Sequence, residues 1–508
     1  MNNIFIKSSL YNGDNMINNS LWLKGIKTSA LPSLKKDIET DILIIGGGIT
    51  GISTAFYLKD SNLNVTLIDS DKIGFGATSK TTGKLTYLQD TLTKIKSVYG
   101  TEVTRKYIES QKYAIELIKT NVIEHNIKCN FESNNSYVFT NQNKDKKVIK
   151  DLDTILKKAN TNHKKSFSLP IKYPCKLNVK VNDTAVFHPV KYVLTLKDIC
   201  LKRGINIYER TKAIDIDKAE DGYIVKTVSN KIKARKVILA CHYPFFIIPK
   251  LFPLKTHLEK SYVSAGVTDK NKMFNAISMK DVHSIRYYSD SKDYIIYAGL
   301  SKTLGQNMDN EKNYKDLIWH MKSNLTKDIK YYWFNYDVMT EDSLPIIGYY
   351  EKNNKNLLIG TGYNTWGMTN GTLAGKILSD LILEKENKYT KLFSPTRSLN
   401  IMKFINLTNS NIKSGFTYIL SKIKTSYSFY PKNVKVEMRN GKRCGIYIDE
   451  NGYEHVVSNI CPHMKCRLVF NPVDKTWDCP CHGSRFNIDG KSIKGPSVFD
   501  ISIKSTDN

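Results

Sequence analysis

A chain of 508 residues exceeds one ordinary core, so two or three domains are expected. Its 41% apolar share excludes wholesale disorder, and no stretch approaches the ~20 apolar residues of a membrane span. The formal charge of +28 (76 Lys and Arg against 48 Asp and Glu) suits an anionic partner in principle. Lys is spread evenly, however, with no arginine-rich arm and no basic stripe interleaved with aromatics. The charge therefore reads as compositional drift that favours an acidic redox partner, with nucleic acid a minor alternative. The Met1–Lys7 start lacks the features of a secretory signal, so the expectation is a soluble, cytoplasmic protein.

Residues 1–37 are polar and irregular apart from Leu21-Trp22-Leu23, and are taken as an N-terminal extension. Asp41 to Ile45 reads as a buried strand, followed by the turn Gly46-Gly47-Gly48-Ile49-Thr50-Gly51. A helix follows with Ile52, Ala55, Phe56 and Leu58 on one face, then a second strand from Asn64 to Ile68 that ends at Asp69. This βαβ opening predicts a parallel sheet. It also gives the G-x-G-x-x-G fingerprint its physical sense. The glycines allow backbone approach to a pyrophosphate, the helix N-terminus faces it, and Asp69 offers a carboxylate to ribose hydroxyls. Ile73 to Leu85 forms a glycine- and hydroxyl-rich loop.

Between about 100 and 330, helical text (Arg105 to Ile123) alternates with strands (Ile232 to Ala240, Tyr294 to Ala298). Leu357 to Ile359 is another apolar strand, leading through Gly360-Thr361-Gly362 into a helix from about Thr372 to Leu383. Pro395 closes this unit, which spans 38–395. Residues 396–430 suit a linker, and 431–508 show short alternating strands with a turn at Glu450-Asn451-Gly452, an all-β signature.

Five of the nine cysteines (Cys129, Cys175, Cys200, Cys241, Cys444) are scattered singly, as small buried hydrophobes are. The other four crowd into one stretch. There Cys461-Pro-His463 and Cys479-Pro-Cys481-His482 each mix sulfur with imidazole. A Rieske [2Fe–2S] cluster needs two thiolates on one iron and two histidines on the other, so Cys461, His463, Cys479 and His482 are the expected ligands. A structural Cys₂His₂ zinc site is the alternative, although such sites usually pair like ligands within each half.

Segment 38–395 resembles the D-amino-acid-oxidase/glycine-oxidase-like family of FAD enzymes. The resemblance rests on the fingerprint together with Phe187-His188-Pro189, Ala240-Cys241-His242-Tyr243-Pro244, Asp342-Ser343-Leu344-Pro345 and the Trp366 turn. With its C-terminal domain the whole chain resembles FAD-dependent oxidoreductases fused to a Rieske module. The resemblance implies an α/β (α+β) Rossmann-like FAD-binding domain with an inserted β-rich substrate domain, plus an all-β Rieske domain. It further implies FAD contacts at Gly46, Gly48, Gly51, Asp69, Ala77, Thr78, Ser79, Gly362 and Met368. The cluster stretch also resembles the Rieske proteins of respiratory cytochrome complexes, which implies a Cys466–Cys481 disulfide; free thiols are the alternative in a reducing compartment. Ser484 would then donate to a cluster sulfur, while Phe486 stands where those proteins carry a tyrosine, which predicts a lower potential.

The family likeness implies oxidation of a small amine or amino acid by hydride transfer to FAD, with electrons leaving singly through the cluster to an external acceptor. No second G-x-G-x-x-G appears in the middle of the chain, which argues against an NAD(P)H donor. Weak candidates for substrate contact are His188, Arg286, Lys302 and Trp366, each with a structural alternative as packing, turn or solvated charge. Three other readings remain open: an electron-transfer protein with no substrate of its own, an RNA-modifying flavoenzyme, and a Rieske oxygenase, for which no 2-His-1-carboxylate set is evident.

Overall fold

A computed structural model describes residues 16–245, 255–269, 274–279, 283–304, 310–397 and 430–503. Most of the expected 396–430 linker lies outside the described residues.

The βαβ opening forms as expected. The strand Ile38–Ile45 pairs in parallel with Val65–Ile68 on one side and Lys231–Leu239 on the other. Asn354–Thr361 joins Lys231–Leu239 in parallel, and Asn206–Tyr208 extends the other edge. Two antiparallel additions, Ile346–Glu351 and the hairpin Ala213–Ala219/Gly222–Thr227, complete an eight-stranded sheet among the described residues. Its central residues Leu43 and Ile44 are wholly buried, as a sheet covered on both faces requires. Each such burial is worth roughly 1.5–3 kcal/mol.

Two helices cross on this sheet, Ile49–Leu58 and Gly367–Ile382. The second begins five residues before the expected Thr372. Glycines at 367 and 371 argue against helix by propensity, but packing reverses the argument. A Cβ on Gly371 would sit 2.6 Å from Ile49 Cγ2, and one on Gly375 would sit 2.4 Å from Ser53 Cβ. Only glycine lets the helices approach so closely.

A ten-stranded sheet, counted over the described residues, forms the second layer, with Thr256–Val267 flanked by Asp293–Thr303 and Ile329–Thr340. The residues before 38 are not irregular where they are described. Ile17–Asn18 pairs in parallel with Tyr331 and Tyr332, and Trp22 is fully buried with its indole donating to Thr81 O at 2.6 Å.

The C-terminal region is all-β, as expected. Val434–Arg439, Lys442–Ile448 and Glu454–Ser458 form one antiparallel sheet. Val469–Asn471, Thr476–Asp478, Arg485–Asn487 and Ser492–Lys494 form the other. Gly445 makes room for the indole of Trp477, whose ring would lie 2.5 Å from a Cβ there. This domain sits against the rest of the molecule. Asn18 Nδ2 donates to Asp474 Oδ1 at 2.9 Å, and the Arg485 guanidinium lies 4.6 Å from the centre of the Phe334 ring. No described helix is long and apolar enough to cross a membrane.

Candidate functional site

The glycine turn shows why its residues are glycines. Gly46 has φ +111°, and a Cβ there would lie 2.5 Å from Ala240 O; one on Gly51 would lie 1.8 Å from Gly46 O. The Gly47 and Asp71 N–H groups donate to the Asp69 carboxylate at 2.7 and 2.8 Å. Burial pushes Asp69 up to about 6 in spite of those two donors. At the helix N-terminus Ile49 N–H donates to Thr78 Oγ1 at 3.0 Å. A bare backbone cradle, a helix N-terminus and a carboxylate at the next strand end fit a dinucleotide diphosphate and ribose.

The cradle opens into a cavity of about 900 Å³ lined by Gly46, Gly48, Asp69, Ala77, Thr78, Gly362, Trp366 and Met368, among others. Of the expected contacts, Ser79 stands back from it and donates to Phe75 O and Gly76 O. Gly51 acts through helix packing. The turn at Gly362 is built by Asn364. Its amide Oδ1 accepts from Thr340 N–H at 2.7 Å, and its Nδ2 donates to Gly362 O at 3.0 Å. Trp366 Nε1 donates to Asp90 Oδ1 at 2.8 Å, which fixes the indole as a cavity wall.

Three of the four weak substrate candidates lie elsewhere. Arg286 is wholly buried outside the cavity wall. Its guanidinium donates to the Thr82, Gly83 and Phe187 carbonyls and lies 4.9 Å from the Trp22 ring centre, so it pins the loop that carries Gly83. His188 caps the helix Pro189–Lys202 through Nδ1, which accepts from Lys191 N–H, and burial holds it neutral with its pKa lowered to about 3. Lys302 is exposed on the strand Asp293–Thr303, which it shares with the cavity residue Ser301. Strand alternation turns it away.

Lys84, which the sequence does not mark as a substrate candidate, also lines the cavity. Lys84 is buried in the cavity wall, where its ammonium donates to Ser284 Oγ and to Ala276 O and lies 5.9 Å from the Trp366 ring centre. Burial, with the charge of Arg286, lowers it to about 7. The available signal was a lysine flanked by Gly83 and Leu85 at the end of the hydroxyl-rich loop.

The expected cluster ligands come from two loop tips. Cys461 follows the strand Glu454–Ser458, and Cys479 opens the hairpin loop between Thr476–Asp478 and Arg485–Asn487. Backbone bonds from Cys461 N–H to Cys466 O (2.8 Å) and from Cys479 N–H to Ser484 O (2.7 Å) close each loop. The two thiols share a hydrogen bond, which holds Cys461 low and Cys479 high. The two imidazoles lie edge to face, with centroids 5.0 Å apart. The buried Nδ1 of His463 has no hydrogen-bond partner, and burial lowers this ring to about 4, leaving it neutral as a ligand must be. Cys466 and Cys481 are joined by a disulfide, Cα atoms 6.6 Å apart. Although Cys466, Cys479 and Cys481 bring their sulfurs within 4.8 Å of one another, the bridge removes two of them as metal ligands. A set of two thiols and two imidazoles fits a [2Fe–2S] cluster of mixed ligation. The Ser484 hydroxyl, which accepts from Ser497 N–H at 3.0 Å, helps to lower the Cys461 thiol, and Phe486 is fully buried among the same residues.

The two sites meet. His482 also lines the large cavity, and its ring lies 5.4 Å from that of Tyr243, another cavity residue.

Comparison with known proteins agrees with this geometry. The family model "FAD dependent oxidoreductase" (DAO) matches residues 41–381, and the "Rieske [2Fe-2S] domain" model matches residues 422–503, which decides against zinc. YhfW of Bacillus subtilis (strain 168), which bears the name of a Rieske 2Fe-2S iron-sulfur protein, is 33% identical over 94% of this chain and 96% of its own. Among solved structures, glycine oxidase from Geobacillus kaustophilus superposes with a TM-score of 0.60, at 15% identity over 71% of this chain and 100% of that one. L-amino acid deaminase from Proteus vulgaris gives 0.59 at 15% identity, over 74% and 100% of the two chains. These structural likenesses bear on the fold.

Proposed function

Because the chain belongs to the FAD dependent oxidoreductase family and ends in a Rieske [2Fe-2S] domain, we propose that it oxidises a C–N bond of a small amine or amino acid and passes the electrons singly to an external acceptor. The observation that carries this reading is the shared cavity, whose wall holds both the glycine cradle and the cluster ligand His482. When bound, FAD supplies a two-electron hydride acceptor and the cluster a one-electron carrier, so each substrate oxidised serves two one-electron acceptors.

The chain's own residues supply the rest. Gly46, Gly48 and Asp69 hold the dinucleotide, and Ala77, Thr78, Gly362 and Met368 wall it in. Trp366 excludes water from one side. Lys84, whose pKa burial lowers to about 7, accepts as the neutral amine a proton at Nζ from the substrate nitrogen, and its hydrogen bonds to Ser284 Oγ and Ala276 O hold Nζ in place. Tyr243 and His482 provide a contact between cavity and cluster, and the exposed Lys465 beside His463 suits an acidic acceptor. The chain divides functionally into 38–395, a 396–430 linker and 431–508.

Stopped-flow mixing of the holoprotein with amines, amino acids and NAD(P)H tests this. An amine or amino acid should bleach the flavin, and the cluster's paramagnetic signal should follow. Reduction by NAD(P)H alone would sink the proposal.

A further inference from the structure

The segment after the last strand, Ser492–Lys494, runs along the cavity. Ser492, Lys494, Pro496 and Val498 line it together with the glycine cradle. Lys212 bolts this segment to the other domain. Its ammonium donates to Ser492 Oγ and Ser497 O at 3.2 Å each and to Val498 O at 3.4 Å. Lys212 follows Thr211, whose N–H donates to Asp69 O at 2.8 Å, so the anchor stands beside the expected ribose carboxylate. The same segment presses on the cluster loop. Ser497 N–H donates to Ser484 Oγ at 3.0 Å, and a Cβ on Gly495 would lie 2.4 Å from Ser484 Cα.

The charges in this wall do not balance among themselves. Arg485 is paired with Asp474 and Asp478. Lys494 and Lys80 both line the cavity, stand close enough to repel, and make no ion pair or hydrogen bond through their ammonium groups among the described residues. Lys260 adds to the repulsion but is bound to Asn310 Oδ1 at 2.7 Å. Asp337 is the nearby carboxylate, and burial with the neighbouring Glu259 pushes it up to about 7. Burial and the surrounding cations lower Lys494 to about 7 and Lys80 to about 8. Two such ammonium groups in a closed wall are stabilised by an anion in the cavity.

We propose that the C-terminal domain completes the FAD site: residues 492–498 roof the cavity, and Lys494, beside Lys80, presents its charge to an anionic group of the bound dinucleotide. The proposal rests on the assignment of this cavity to FAD. It follows by linkage that FAD occupancy tightens the packing of the cluster domain, and that this packing tightens FAD.

The test uses full-length apoprotein with its cluster intact, titrated with FAD and separately with ADP. Lys494→Gln should weaken FAD by about tenfold or more, the size of one charge-assisted hydrogen bond, and Lys494→Glu should weaken it further. An equal loss for ADP places the charge at the diphosphate and supports the proposal; the oxidised flavin ring carries no charge, so a loss for FAD with ADP binding unchanged overturns the charge contact. FAD affinity unchanged in both variants, with the cluster signal retained, overturns it. Should the variants fold poorly, wild-type hydrogen exchange decides: FAD should protect residues 492–498, and no added protection overturns the proposal. Wild-type apoprotein that binds neither ligand overturns the cofactor assignment itself and the shared site with it.

Discussion

In the C-terminal domain four donor atoms fall between Cys461 and His482, 21 positions apart, on two loop tips. In the flavin half the cavity walls come from residues as distant as Gly46, Trp366 and Lys494, brought together by two sheets and a domain contact. The cluster site is thus made of side chains that its chemistry names. The flavin site is made largely of backbone and of missing side chains, and its chemistry names few residues. Damage at one should therefore remove a ligand, and damage at the other should remove space.

The largest effects separate the two. His463→Ala should abolish the Rieske paramagnetic signal of the dithionite-reduced protein while leaving flavin content intact. Loss of both cofactors would show that the regions fold as one and would break the comparison. Conversely, Gly51→Ala forces a Cβ to within 1.8 Å of Gly46 O, and the strain of roughly 1–3 kcal/mol or more falls on the cradle. FAD should be lost on purification with the cluster signal unchanged, as released flavin and labile sulfide would report.

A smaller effect probes the wall between cradle and sheet. Lys84→Met should lower kcat by roughly 10²–10⁴, the usual share of general acid–base catalysis. Since burial lowers this ammonium to about 7, the basic form grows as pH rises through that value. Wild-type kcat/KM should therefore climb between about pH 6 and 8, and the variant should lose that limb. A profile unchanged by the substitution would remove Lys84 from the chemistry.

The smallest effects tune the cluster without dismantling it. Ser484→Ala removes the hydroxyl that helps to lower the Cys461 thiol and that is expected to donate to a cluster sulfur. A hydrogen bond to a charged group is worth roughly 1.5–3 kcal/mol, and for one electron about 59 mV is tenfold. The potential should fall on the order of 60–130 mV by protein-film voltammetry. Phe486→Tyr should raise it by a similar amount; no change would mean that the ring, paired across the strands with Trp477, points its edge away from the sulfurs.

Sequence alone determined what is local. Residues whose chemistry depends on near neighbours, such as Cys461, His463, Cys479 and His482, or Gly46 with Gly51 and Asp69, declare themselves because spacing and strand context set their geometry. Four strands of the eight-stranded sheet, near 41–45, 64–68, 232–240 and 357–359, were legible because they are largely apolar runs; its short edge strand and antiparallel additions were not. Arg286 and His188 stayed ambiguous because a polar side chain looks alike in sequence whether it meets substrate or satisfies buried backbone groups, and only burial and partners tell them apart. The helix start at Gly367 contradicted propensity because a crossing partner made glycine necessary. The placing of Lys84, Lys80 and Lys494 on one cavity, and of a cluster ligand in its wall, depended on how two sheets and a third domain close over a common space. No local pattern encodes that closure, since it arises from contacts between segments hundreds of positions apart.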